Sequence, residues 1–238
     1  MKTFSQLKLL NVGPLNFAVR QGTSDFKAIK EVVIDKGYQR RDFAPQPGET
    51  WIDVGANCGA FAVWAGSLGA TVIAFEPDPE NASIARTNIE ANKLGKLVTL
   101  RESGLTADEG EGEAALHRNT AKGNLWRNSL FKKWQGGETI KVPTEPIAPY
   151  WSQDYCIKLD AEGVEMPILE KYAEQKVRKL VFEWSFDIDP SLARFENIIA
   201  KLRGIYQHVS FAGYKSGYTR WQSSWFPACR TVWCYDNP

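Results

Sequence analysis

The stretch Trp51–Phe61, WIDVGANCGAF, is an apolar run that ends in an acid and passes directly into a loop with glycines at 55 and 59. Such a run turning through glycine into a second apolar segment is the opening of a β-α-β unit, because glycine supplies the backbone conformations of a tight strand-to-helix turn. Working outward, TWIDV is a strand, about Ala60 to Ser67 a helix, TVIAFE a strand, and Pro79 to about Asn92 a helix. Pro79 suits a first helical turn and Asp78 an N-cap. LVTLRE, YCIKLD and RKLVFEW follow as strands apolar enough to be covered on both faces, with VEMPILEKYAEQ as a helix between the last two. A helix around Ser191 to Arg203 and the strands YQHVSFAG and CRTVWCY complete the alternation. The fold class is α/β, a largely parallel sheet with helices on both faces.

Residues 106–153 interrupt this pattern between LVTLRE and YCIKLD. Two strand-like pieces, EAALHR and TIKVP, flank a middle rich in Gly, Asn and Trp, which predicts a hairpin or lid. At 238 residues and 43% hydrophobic, the chain suits one domain, 1–238, with an N-terminal extension over 1–48. Lys and Arg number 29 against 28 Asp and Glu, so a net charge of +1 gives no electrostatic reason to expect nucleic acid. No apolar run reaches membrane-spanning length and no leader is recognisable, so the expected location is cytoplasmic, with oligomeric state left open. Cys58, Cys156, Cys229 and Cys234 show no CxxC spacing and only two His are present, so structural zinc is not expected. Cys58 and Cys156 read as small packing residues, and a Cys229–Cys234 disulfide stays open as an alternative.

In an open α/β sheet, ligands sit at the carboxyl ends of the strands, where this loop lies. Measured against G-x-G-x-x-G, Gly55 fits the first glycine, but Asn57 stands at the second and Ala60 at the third, which weakens a pyrophosphate reading. Asp53 would repel phosphate while suiting a sulfonium or ammonium. Glu76, about 20 residues on, stands where an acid accepts hydrogen bonds from ribose hydroxyls. Together these favour S-adenosyl-L-methionine over a dinucleotide. The competing reading, a plain tight turn with solvating acids, would prevail for a lone glycine loop.

DVGANCGAF, AFEPDPEN and IKLDAEGVEMPIL together resemble the FkbM family of S-adenosylmethionine-dependent methyltransferases, with its DxGANxG loop, EPxP strand end and K-x-D-x-E-G-x-E segment. The likeness extends upstream to VRQGTSDFKAI. It implies a Rossmann-like, seven-stranded sheet of order 3-2-1-4-5-7-6 with the last strand antiparallel. It also implies that Asp53, Gly55, Asn57 and Gly59 surround the methionine part of the cofactor, that Glu76 holds the ribose, and that Asp78 and Asn81 close the nucleoside side. Ser103 and Gly104 would lie at the adenine edge, although ESGLTADEG departs from the alanine-centred turn of many relatives. Thr23, Ser24 and Asp25 would fold over the cofactor.

Methyl transfer from a sulfonium is an in-line displacement that depends on alignment, and a hydroxyl acceptor needs a base within hydrogen-bond reach. Asp160, ending a strand beside the cofactor loop, is the first candidate and Glu162 the second. Glu165, at the next helix start, suits the helix dipole. Glu183 lies on the same rim, while His117 and His208 read as structural. Capping is the competing role for Asp160 and Glu162. No metal is called for by the resemblance.

The segment GYKSGYTRWQSSWFPA, before the last strand, offers Tyr214, Tyr218, Trp221, Trp225 and Phe226 beside Lys215 and Arg220, with Trp184 as a further member of an acceptor wall. Aromatic faces edged by polar groups suit sugar rings, and packing of the final hairpin is the competing role. The resulting expectation is an O-methyltransferase acting on a carbohydrate hydroxyl. A methyltransferase for nucleic acid or a small secondary metabolite, and a catalytically inactive cofactor-binding module, are the alternatives.

Overall fold

The computed structural model describes residues 7–119, 127–213, 218–221, 224–227 and 229–237, with 212–213, 218–221 and 224–227 given as backbone. Apolar pentapeptides of the kind that a doubly covered sheet requires form its centre. These are β3 (Thr50–Val54), β4 (Thr71–Phe75) and β9 (Tyr155–Leu159), with β5 (Val98–Arg101) beyond β4 and β10 (Lys179–Ser185) beyond β9. The sheet continues through β14 (Cys229–Tyr235) to β11 (His208–Gly213), giving the order β11-β14-β10-β9-β3-β4-β5. Only β14 runs antiparallel to its neighbours among the described pairings. That is the anticipated seven-stranded order.

Helices α2 (Ala60–Ser67), α3 (Pro79–Ala91), α4 (Glu165–Tyr172) and α5 (Leu192–Arg203) cover the two faces. Residues 60–66 of α2 are all buried, which an amphipathic surface helix would not tolerate. The reason lies upstream. The N-terminal segment forms a hairpin of β1 (Leu7–Val12) and β2 (Leu15–Arg20), a short helix α1 (Asp25–Ile29) and a π turn over Lys30–Ile34. Ile29, Val32, Tyr38 and Phe43 from this segment join the core cluster that contains α2. Tyr38 meets Phe61 edge-on at 5.7 Å, and Phe43 meets Trp51 at 5.8 Å. The buried Asn88 of α3 secures the hairpin. Its Oδ1 accepts from the backbone N–H of Ala18 at 2.6 Å while its Nδ2 donates to the Cys58 carbonyl at 2.8 Å.

Residues 106–153 contain the anticipated hairpin, β7 (Gly112–Arg118) with β8 (Glu138–Pro146), and β6 (Gly104–Thr106) pairs in parallel with β8. The segment before β14, read from sequence as a connection, contains a two-stranded hairpin of β12 (Tyr218–Trp221) and β13 (Ser224–Pro227). The helix drawn from VEMPILEKYAEQ is shorter than anticipated and ends at Tyr172. All four cysteines are free. Among the described residues no helix is long and apolar enough to cross a membrane.

Candidate active site

The turn after β3 is built from left-handed residues. Gly55, Asn57 and Gly59 have φ of 78°, 53° and 79°. A Cβ at Gly59 would approach Ala85 Cα to 3.1 Å, so this glycine lets α2 begin against α3. The backbone N–H groups of Gly55 and Ala56 donate to the Phe75 carbonyl, tying the loop to the end of β4. Glu76 then takes one backbone donor on each oxygen, from Asn57 at 2.7 Å and Asp78 at 2.9 Å. Burial, reinforced by Asp78, pushes the Glu76 carboxyl up to about 7.

Two cavities meet at this loop. The smaller, about 40 Å³, lies between Glu76, Asn81 and Asn128 on its polar side and Pro77, Leu105, Leu116 and Leu130 on its apolar side. The larger, about 250 Å³, extends to Glu31, Tyr38, Arg127, Glu183 and Cys229. Gly55, Asn57, Asp160 and Glu162 line both.

Beneath the loop lies an ion pair that strand register dictates. Asp53 of β3 and Lys158 of β9 are direct cross-strand partners. Lys158 Nζ is 2.9 Å from Asp53 Oδ1, donates to the Gly55 carbonyl at 2.9 Å, and lies 3.9 Å from Asp160 Oδ2. Burial pushes the Asp53 carboxyl up against the pull of Lys158, while Asp53 and Asp160 more than offset the effect of burial on the Lys158 ammonium. The hydroxyl of Tyr38 donates to Asp160 Oδ2 at 2.6 Å. Asp160 keeps 30% of its side chain exposed between the cavities, whereas Asp53 keeps none.

The wall of the larger cavity is acidic. Glu31, Asp160, Glu162, Glu183 and Asp187 face it, and the two cations among its described lining residues are engaged within the protein. Arg127 forms a two-pronged contact with Glu162, 3.0 Å on each side, and reaches Asp187 at 2.8 Å; Lys158 serves Asp53. Burial and then the neighbouring Asp160 push Glu31 up to about 8, and the same causes raise Glu183 well above the ordinary glutamate range.

The structure brings Gly55, Asn57, Glu76, Asn81, Gly104, Asp160, Glu162 and Glu183 onto the cavity walls. Several other anticipated residues lie elsewhere. Asp53 faces Lys158 one layer beneath the loop, because a carboxylate in a doubly covered strand needs an internal partner. Both Asp25 oxygens are held by Arg20, at 2.6 and 2.9 Å, and Arg20 in turn reaches Asn81, so Asp25 supports the smaller cavity from behind, while Ser24 is buried at the N-cap of α1 and lines neither cavity. Gly59 faces α3. Asp78 caps α3 and accepts from Arg118 and Asn128 of the insertion. Ser103 donates to Glu145 at 2.5 Å. Trp184 corrects the acceptor wall: it is fully buried against Phe186 and Phe195, with its Nε1–H donating to the Asp189 carbonyl. Strand alternation turns its side chain to the opposite face from Glu183. The side chains of Tyr218, Trp221, Trp225, Phe226 and Arg220 lie outside the described residues, as do Tyr214 and Lys215. His117 meets Thr139 and His208 meets Asn237, away from both cavities. Glu165 accepts from the backbone N–H groups of Ala161 and Gly163.

The sequence reading missed Glu31, Tyr38, Arg127 and Lys158 as site residues. Lys158 carried a signal, since a lysine inside the apolar run YCIKLD demands a buried partner. The others reach the site across separations that no local pattern encodes.

The lining of the smaller cavity, where it opens to the larger, suits the hydroxyls of a ribose and not a phosphate. The Glu76 carboxylate held by two N–H groups can still accept from hydroxyls, apolar side chains lie opposite, and no Lys or Arg is among the described lining residues. The family profile described as Methyltransferase FkbM domain matches residues 53–216. Ribosomal protein L11 methyltransferase from Chloroflexus aurantiacus is 38% identical over 68 residues, which cover 28% of this chain and 21% of that protein. Methyltransferase 1 from Beauveria bassiana is 26% identical over 163 residues, covering 59% of this chain and 64% of the relative. The chain thus spans less than two thirds of the length of either relative. Among solved structures, precorrin-6y C5,15-methyltransferase from Geobacter metallireducens GS-15 superposes with a TM-score of 0.50 at 13% identity, over 93% of this chain and 94% of that one. The Pyrococcus abyssi tRNA (uracil-54, C5)-methyltransferase, solved in complex with S-adenosyl-L-homocysteine, gives 0.51 at 11% identity, over 96% of this chain and 44% of that one. At such identities the likeness is one of fold.

Proposed function

The chain belongs to the FkbM family of methyltransferases, and on that premise we propose that it is an O-methyltransferase acting on a hydroxyl of a neutral, hydroxyl-rich acceptor of the carbohydrate class. S-adenosyl-L-methionine supplies an electrophilic methyl group on a sulfonium. The protein's own part is to hold the nucleoside at Glu76, align the acceptor in the larger cavity, and accept the acceptor's proton at Asp160.

The observation that carries this reading is the position of Asp160. It is the partly exposed carboxylate lining both cavities at the end of a central strand. Glu162 also lines both, but Arg127 engages both its oxygens, which suits it to closing the site rather than to exchanging protons. The wall favours an uncharged polyol over a polyanion, because its described cations, Arg127 and Lys158, are engaged by Glu162, Asp187 and Asp53 and leave an entering phosphate no counter-charge. That same wall speaks against nucleic acid as acceptor.

The test is transfer of isotope-labelled methyl to a panel of neutral sugars, oligosaccharides and RNA transcripts. Methylation of a sugar hydroxyl is the expected result, and Asp160→Ala should lower kcat by about 10²–10⁴-fold with cofactor affinity retained by calorimetry. Methylation of RNA with steep salt dependence would replace the acceptor class. Tight cofactor binding with no transfer to any acceptor would instead mark a binding module.

A further inference from the structure

Among the described residues Asp160 is held by one oxygen only. The Tyr38 hydroxyl donates to Oδ2 at 2.6 Å and Lys158 Nζ stands 3.9 Å from that same atom. No described residue hydrogen-bonds Oδ1. Tyr38 has no freedom to leave this position: its ring packs edge-on to Phe61, and its carbonyl accepts from Trp233 Nε1 at 3.2 Å. Lys158 is equally fixed by Asp53 and the Gly55 carbonyl, and its ammonium lies 5.7 Å from the Tyr38 ring centroid.

We propose that Tyr38 is a positioning residue for the reaction, acting with Lys158 to hold Asp160 through Oδ2 so that Oδ1 is the oxygen offered to the acceptor hydroxyl. This rests on the reading of Asp160 as the proton acceptor. As the new O–C bond forms and the C–S bond breaks, the acceptor's proton passes to Oδ1, and it later leaves to solvent. A carboxylate free to rotate would spend part of its time with neither oxygen aligned, whereas one anchored at Oδ2 keeps the other in reach.

The test is Tyr38→Phe, which removes the hydroxyl and keeps the ring against Phe61. Expected are a cofactor Kd within about twofold of the parent and a kcat about tenfold lower with little change in acceptor KM. Wild-type kcat in Tyr38→Phe, alongside an inactive Asp160→Ala, would overturn the positioning role while leaving Asp160 as base. A fall in activity that merely tracks loss of folded protein in thermal melts, with kcat per folded molecule unchanged, would overturn it as well. Near-normal turnover in Asp160→Ala would remove the base reading itself, and with it this inference.

Discussion

A Cβ on residue 55 would stand 2.1 Å from the carbonyl oxygen of Asp160, and the glycine at that position is what lets the two chain segments touch. The glycine turn after β3 and the strand end that carries the candidate base are thereby in backbone contact, with the Asp160 N–H donating to the Val54 carbonyl. Neither segment moves without the other.

Gly55→Ala should therefore be severe. The obstructing atom is backbone, and φ of 78° is unfavourable for alanine. A loss of about 2–4 kcal/mol in urea denaturation is expected, with cofactor binding abolished or reduced by orders of magnitude. A variant as stable and as active as the parent would show that the two segments can separate freely.

The affinity for cofactor should depend on pH through Glu76. Its folded value, about 7, stands above the ordinary glutamate value of 4.5, so the free protein retains the proton into the neutral range. By linkage, this group's contribution to stability is complete below about 4.5 and is lost as pH rises through about 7. Ribose hydroxyls donating to the carboxylate favour its ionised form, so binding releases protons and tightens as pH rises, levelling off above about 8. Calorimetry in buffers of different ionisation enthalpy measures the release directly. Glu76→Gln should flatten the dependence and weaken binding, and a parent protein with pH-independent affinity would contradict it.

Arg127 latches the insertion to the loop after β9. Arg127→Ala strands Glu162, while Asp187 keeps Lys132 at 3.4 Å, and should raise both cofactor Kd and acceptor KM by roughly tenfold while costing about 1–3 kcal/mol of stability. Arg127→Lys should recover only part of this, because an ammonium cannot reproduce the two-pronged contact. Equal behaviour of the two variants would show that charge alone suffices.

Asn88→Ala removes one bond from the N-terminal hairpin to α3 and one from the loop after β3 to α3, leaving those of Asn92 to Asn16 and of Arg20 to Asn81. With the Ala18 N–H and Cys58 carbonyl left buried and unpaired, a destabilisation of about 2–4 kcal/mol is expected in chemical denaturation. A near-neutral change would mean that the hairpin docks through its apolar contacts and these other bonds without help from Asn88.

The strands of the sheet were legible because they are bounded by turn chemistry and most alternate with a helix pattern, while their spatial order was what the family resemblance implied. That Gly55, Asn57 and Glu76 come together was legible because the ends of β3 and β4 are assembled from local sequence. Tyr38 and Arg127 were not, since each reaches Asp160 or Glu162 only after the sheet has formed. Trp184 was misplaced for a simpler reason. It follows Glu183 in a strand, and consecutive strand residues point to opposite faces. The short helix α1 and the π turn, which supply Glu31, lack the length over which helical periodicity becomes visible.

The pairing of Asp53 with Lys158 also bears on how the sheet assembles. A slip of β9 by one residue along β3 would set Lys158 opposite Ile52 or Val54, turn its ammonium toward the other apolar layer and strand the Asp53 carboxylate. Apolar side chains on both faces tolerate either alignment, since one branched hydrocarbon replaces another. The two opposite charges tolerate a single one, so this pair weighs against the slipped alignments of the central strands whether or not a ligand is bound.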